Sequence, residues 1–251
     1  MYDQRNATRR LSQLVLIGAM LVASQESHAQ ATPRRTAPSR APSVSSAAPR
    51  TAAQRQATLL DENLPFWKTR APATFIADVE TSKGKIAIEF TREWAPVGVD
   101  HFYNLARAGY FDDSRFYRVV PNFVAQFGLA GDPRIANLWG SITLKADPVR
   151  ESNLRGTLSY AQFKPTDRST NIFINLHDSP NLDTLGFTPI GRVVEGMEVA
   201  DSLYGGYNDL PISDPPLGDA KRMYREGNKY LDDKYPKLDR IIRVTIRTQQ
   251  P

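Results

Sequence analysis

The sequence predicts a mainly β domain, a closed antiparallel eight-stranded barrel capped by two α-helices. Three observations lead there. Eight short runs rich in β-branched and aromatic residues recur between Thr74 and Arg247. Only two stretches, 96–109 and 195–203, carry helical periodicity. No segment repeats at a fixed period, which excludes solenoids and propellers.

The elements follow in order. Residues 74–81 and 85–90 flank Ser82-Lys83-Gly84, a β-hairpin signal. Pro96 opens the first helix and Gly109 ends it, with Val99, Phe102, Leu105 and Ala106 on one face. Strands are expected at 115–120, 123–127, 157–161, 171–175 and 187–194, and the second helix at 195–203. Residues 241–247 alternate apolar and polar side chains and supply the last strand.

The domain is preceded by two segments of other composition. Arg5, Arg9 and Arg10, an apolar run over 11–23, and Ser27-His28-Ala29 read as a secretory signal cut after Ala29. The run is shorter than the ~20 apolar residues that span a bilayer. Residues 30–58, rich in Ala, Pro, Ser, Thr and Arg, read as a disordered linker. The domain is therefore assigned to 59–251, with Leu64, Phe66 and Trp67 packing on its edge, and the protein to the periplasm or the exterior.

Charge and cysteine count narrow the function classes. Eight arginines against Asp3 and Glu26 make residues 1–57 basic, while the rest of the chain is nearly neutral. A nucleic-acid binder would carry a basic stripe on the fold itself, so no nucleic-acid partner is expected. The basic linker is expected at most to contact anionic envelope surfaces weakly. The chain has no cysteine, which excludes disulfides and thiol catalysis. His28, His101 and His177 are the only histidines, and none has companion ligands at metal spacing. Neither metal nor cofactor is expected.

The segment FYRVVPNFVAQFG over 116–128 resembles the cyclophilin signature, in which an aromatic and an arginine precede a Pro-x-Phe turn and a Gln-x-Gly close. Further stretches resemble that family in the same order: GTLSYA over 156–161, STNIFI over 169–174, Leu182-Asp183, FTPIGRV over 187–193 and EGM over 195–197. The resemblance spans about 74–203 and the last strand, and implies a monomeric peptidyl-prolyl cis–trans isomerase acting on Xaa-Pro segments of exported chains.

The chemistry of the peptide bond explains these residue types. An X–Pro bond rotates over a barrier of ~18–20 kcal/mol because its C–N bond is partly double. No covalent intermediate is needed to lower that barrier. A donor aimed at the imide nitrogen binds the twisted amide better than the planar one, which is differential binding. An arginine supplies a permanent charge and a rigid fork of donors. The resemblance assigns that role to Arg118, oriented by Gln126. It places Phe123, Val124, Phe173, Leu182 and Phe187 around the proline ring. Ala161, Gln162 and Asn171 border the groove for the substrate backbone. Arg118, Val124 and Gln126 also share parity, so paired strands would turn them to one face.

The sequence departs from the family pattern at several places. Asn122 and Phe127 stand where familiar eukaryotic members have glycine, and Val124 replaces a methionine. Asn171 replaces a glutamine one methylene longer, Asn181 falls near a tryptophan position, and Phe187 replaces a histidine. The stretch 204–240 is longer than the usual link to the last strand and carries no recognisable chemistry. Asn171 and that insertion keep an alternative open: a non-catalytic module, chaperone or scaffold that grips proline segments without turnover.

Overall fold

The computed structural model describes residue 48 and residues 51–162, 164, 166–209 and 218–247. The signal segment and nearly all of the linker up to residue 50 lie outside the described residues.

Eight antiparallel strands form one sheet in the order β3-β4-β6-β5-β7-β2-β1-β8. β1 (Thr74–Thr81) and β2 (Gly84–Thr91) make the expected hairpin, with Thr81 paired to Gly84 across the turn. β3 (Arg118–Val120) and β4 (Val124–Phe127) form a second, shorter hairpin. β5 (Thr157–Tyr160), β6 (Ile172–Asn175), β7 (Pro189–Glu195) and β8 (Ile241–Arg247) complete the sheet. The expectation of a closed barrel needs correction. The sheet curls, but its edge strands β3 and β8 do not form a ladder. They meet only next to their starts, where Arg115 bridges Arg240, Phe116 N–H donates to the Asp239 carbonyl (2.9 Å) and Ile241 N–H to the Ser114 carbonyl (2.8 Å).

The curl encloses a core of aromatic rings. Phe75 stacks on Phe90 (4.9 Å between centroids), Phe90 on Phe102 (4.1 Å) and Phe102 on Phe111 (5.0 Å). Phe127 then takes Phe111 and Phe116 edge-on at 5.8 and 5.5 Å. These rings fill the interior with large, rigid apolar area and carry no unmatched polar atom. Phe127, where a glycine is the familiar residue, is thus a core residue, 2% exposed.

Two helices cap the curl, near the expected places. α2 (Pro96–Ala108) ends on Gly109 in the left-handed region (φ 78°). Its N-terminal N–H groups are satisfied from afar: the buried Asp147 carboxylate accepts from Val97 N–H (3.0 Å) and Gly98 N–H (2.9 Å). The second, α5 (Met197–Asp201), is shorter than the 195–203 pattern suggested.

Other helices were not expected. α1 (Ala52–Leu59) occupies the end of the segment read as disordered linker. Thr51 and Gln54 close a capping box at its start, and Leu59 is buried at its end. A 3₁₀ turn at Pro65–Lys68 buries Phe66. α3 (Pro133–Ser141) follows β4, and α4 (Asn181–Thr184) is a single turn before β7. α6 (Gly218–Glu226) and α7 (Asn228–Lys234) fold out of the 204–240 insertion. Several of these pieces pack on one another: Trp67 lies 4.2 Å from Trp139 of α3, Trp139 Nε1–H donates to the Leu59 carbonyl (2.8 Å), and α6 lies on α3. Among its described residues the insertion buries Met223, Tyr230, Leu231 and Tyr235 in the main core.

Candidate active site

The site is built on the β3–β4 hairpin. Arg118 and Gln126 are direct cross-strand partners, so both side chains leave the sheet on the same face. On the opposite face Val119 and Ala125 enter the core. The turn between the strands places Asn122 at φ 58°, a left-handed conformation that asparagine tolerates and most side chains resist. The departure from glycine at that position thus keeps the turn. Gly128, after β4, has no such freedom: at φ 109° a Cβ would lie 2.1 Å from the Thr170 carbonyl oxygen.

Beside Arg118 lies a small apolar cluster separate from the main core. Val124, Phe173 and Leu182 are buried in it, with Phe123, Ala161 and Phe187 packed around them. β4 and β6 are paired, with Val124 opposite Asn175 and Gln126 opposite Phe173. The single turn α4 supplies Leu182, whose carbonyl accepts from Phe187 N–H (3.1 Å), so the two side chains arrive together. The Phe187 ring meets Phe173 edge-on at 5.7 Å. The Arg118 guanidinium carbon stands 5.5 Å from the centre of the Phe123 ring.

The polar residues continue away from this cluster. Arg118 Nη1–H donates to Gln126 Oε1 (3.3 Å), and Gln126 Nε2–H donates to the Tyr117 hydroxyl (2.7 Å). The Tyr117 hydroxyl donates to Asn171 Oδ1 (2.9 Å). Burial pushes the Tyr117 phenol well above its usual pKa, so it keeps its proton. Ala161 N–H donates to the Asn171 carbonyl (2.9 Å), which ties that border to the β6 side. Gln162 Nε2–H reaches the Leu185 carbonyl (3.2 Å), and its buried Oε1 has no partner among the described residues.

Eight of the ten residues singled out from the sequence fall into two adjoining groups here. Arg118, Gln126 and Asn171 join a polar chain, and the five apolar residues form one wall. Ala161 packs on the wall, and Gln162 crosses to Leu185 beyond it. Three residues of the arrangement escaped the sequence reading. Tyr117 stands inside the motif, but its role depends on where its hydroxyl ends, which no spacing tells. Asp209 accepts from Arg118 Nε–H (2.5 Å), and the Tyr224 hydroxyl accepts from Asn171 Nδ2–H (3.0 Å). Both come from the insertion and carry no local signal. His177 is exposed on its loop, and His101 lies on α2 against Trp139 and Tyr160, away from the site. No group of three or more His, Cys, Asp or Glu among the described residues could hold a metal ion.

The model of the family "Cyclophilin type peptidyl-prolyl cis-trans isomerase/CLD" matches residues 76–221. The chain belongs to this family. A cyclophilin of this kind is similar to "Peptidyl-prolyl cis-trans isomerase ppi1" of Schizosaccharomyces pombe, 37% identical over 150 residues, covering 57% of this chain and 93% of the relative. It is also similar to "Peptidyl-prolyl cis-trans isomerase A" of Dickeya dadantii, 32% identical over 154 residues, 56% of this chain and 80% of the relative. Among solved structures, the Cryptosporidium parvum cyclophilin type peptidyl-prolyl cis-trans isomerase cgd2_1660 shares the fold with a TM-score of 0.51. The identity there is 19%, over 70% of this chain and 99% of the other. The match to the family model covers the hairpin, the apolar cluster and part of the insertion, and leaves β8 outside.

Proposed function

We propose that this cyclophilin isomerises Xaa-Pro bonds in exported polypeptides, with Arg118 stabilising the twisted imide and no covalent intermediate. The observation that carries the reading is the placement of one half-buried guanidinium at the lip of an apolar cluster that is separate from the core. In this reading the proline ring packs against the cluster of Val124, Phe173, Leu182 and Phe187, with its imide nitrogen toward Arg118. The nitrogen gains a lone pair as the bond twists, and a guanidinium N–H donates to it most strongly at that point. Gln126 holds the fork through Nη1. Gln162 and Asn171 border the substrate backbone in this reading.

Residues 1–29 support an exported location, with 30–50 as a basic linker whose weak attraction to anionic envelope surfaces is screened by salt. No helix among the described residues is long and apolar enough to cross a membrane. A protease-coupled assay on a short Xaa-Pro peptide tests the mechanism. Arg118→Ala is expected to stay folded and lose most of its activity, on the order of a hundredfold. Arg118→Lys is expected to be nearly as poor, because a point charge does not reproduce the fork. Equal turnover by wild type and Arg118→Ala at matched folded fraction defeats the mechanism. The second reading, a binding module without turnover, is favoured by the engagement of Arg118 with Asp209; in that case the wild type binds the peptide but does not accelerate its exchange.

A further inference from the structure

The insertion touches the site at two points, and the two are joined by one chain of hydrogen bonds. Asp209 Oδ1 accepts from Arg118 Nε–H, Arg118 Nη1–H donates to Gln126, Gln126 to Tyr117, Tyr117 to Asn171, and Asn171 to Tyr224. The distances along it are 2.5, 3.3, 2.7, 2.9 and 3.0 Å. The barrel supplies the middle of this chain and the insertion supplies Asp209 and Tyr224 at either end.

Both ends are held firmly. Asn208, the neighbour of Asp209, bridges Val119 at the open edge of β3. Gly205 lies so close to that hairpin that a Cβ would stand 2.7 Å from Pro121 Cγ. At the other end α6 is fixed to α3, where Asn137 Nδ2–H donates to the Tyr224 carbonyl (2.7 Å). The Tyr224 ring passes over Gly140, where a Cβ would come within 2.9 Å of its Cε1. Asn171, just before β6, meets the Tyr224 hydroxyl through its Nδ2–H (3.0 Å). Burial raises the pKa of the Tyr224 phenol, so its hydroxyl stays protonated and the amide of Asn171 is the donor between them.

We infer that Asp209 and Tyr224 are positioning residues of the isomerase site: they fix the planes of Arg118 and Gln126 from the two ends of one hydrogen-bond chain. The inference rests on Arg118 being the catalytic group. It makes the insertion part of the active site, and it explains how a chain with a shortened Asn171 keeps its polar border ordered. Fixing the fork before substrate arrives lowers the reorganisation needed in the transition state, so the effect belongs in kcat more than in KM.

The test uses the full chain and four variants: Asp209→Ala, Asp209→Asn, Tyr224→Phe and the double variant Asp209→Ala/Tyr224→Phe. Thermal melts establish that each is folded. Asp209→Ala is expected to lower kcat about tenfold with KM nearly unchanged, whereas Asp209→Asn keeps an acceptor and most of the activity. Tyr224→Phe is expected to lower kcat about threefold, and the double variant to be no worse than Asp209→Ala, because both act through one chain. The ¹⁵N resonance of Arg118 Nε should move in Tyr224→Phe, although Tyr224 does not touch Arg118. Full multiplication of the two losses overturns the inference, as does an Arg118 resonance unmoved by Tyr224→Phe. Asp209→Ala turning over faster than wild type also overturns it, and makes the carboxylate a competitor for the guanidinium. Arg118→Ala as active as wild type removes the functional reading instead, and so is told apart from a failure of this one.

Discussion

Between Arg118 and Phe187 the work of the site divides by chemistry. In the proposed mechanism the guanidinium would meet an atom whose charge changes as the bond twists, whereas the Phe187 ring would meet a proline ring that stays apolar throughout. Removing the ring should therefore weaken substrate and transition state alike. Phe187→Ala is expected to raise KM roughly five- to thirtyfold, from about 1–2 kcal/mol of lost apolar contact, and to leave kcat near the wild-type value. A drop in kcat without a rise in KM shows that the ring does more than hold the proline. The apolar residues and Gln126 were singled out by the resemblance of several separate stretches; parity added that Gln126 and Arg118 share a face, and the strand pairing sets them opposite each other. A second residue-scale expectation concerns pH. His101 Nε2 is buried with no hydrogen-bond partner among the described residues, and burial pulls its pKa down to about 4 from 6.5. The unfolded chain then binds the extra proton between those values, so stability is complete above pH 6.5 and declines as pH falls toward 4, by up to ~1.4 kcal/mol per unit. Melts at pH 5 and 7.5 should show a loss in wild type that is smaller in His101→Gln. Activity of the folded protein should stay flat from pH 6 to 8, because no histidine stands in the site; a steep change there contradicts this assignment.

Elements were legible where one periodicity runs long enough. β8 and the opening hairpin lie within a residue of their expected bounds, because each is a long run rich in β-branched residues, although burial along them does not alternate strictly. α2 has Pro96 at its start and Gly109 at its end, both written in the sequence. α3 was missed because its nine residues are too few for a clear helical stripe, and its cap, Asp132 before Pro133, also reads as a turn. α6 and α7 were missed because they carry mostly charged residues and bury only a few large ones, whose partners are distant in sequence. The cap of α2 shows the same limit. Asp147 lies far along the chain from the N–H groups it accepts from, and it also faces the fully buried Arg168 at 3.8 Å. Arg168 donates through Nη2 to the Lys145 carbonyl (2.6 Å), while its Nε and Nη1 have no hydrogen-bond partner among the described residues. Asp147→Ala thus removes a helix cap and leaves a buried cation without its nearest countercharge. A loss of about 3–5 kcal/mol in denaturant unfolding is expected. A loss under 1 kcal/mol means that the pair and the cap carry little.

At the scale of the whole molecule, the curled sheet and its two caps form one layer, and the segments around 51–72, 133–141 and 218–234 lie together against it. From composition alone the first of these belongs partly to a linker, because α1 has no large apolar residue before Leu59. Its capping box and the single buried Leu59 hold it in place instead. This divides the N-terminal region into a part that the fold uses and a part that it does not. A chain starting at Thr51 should match the full chain in melting temperature and in kcat/KM, since residues 30–50 offer charge and no apolar face. A chain starting at Asp61 loses the Leu59 side chain and the carbonyl that accepts from Trp139 Nε1–H. Together these should cost about 2–4 kcal/mol of stability. The isomerase rate of the folded fraction should nevertheless remain within about twofold, because α1 touches none of the site residues and a stability loss of that size leaves most molecules folded. The opposite result is equally readable. If the shortened chain is folded but slow, Trp139 has shifted α3, Gly140 no longer seats the Tyr224 ring, and the N-terminal helix reaches the site through the same contacts that hold the insertion in place.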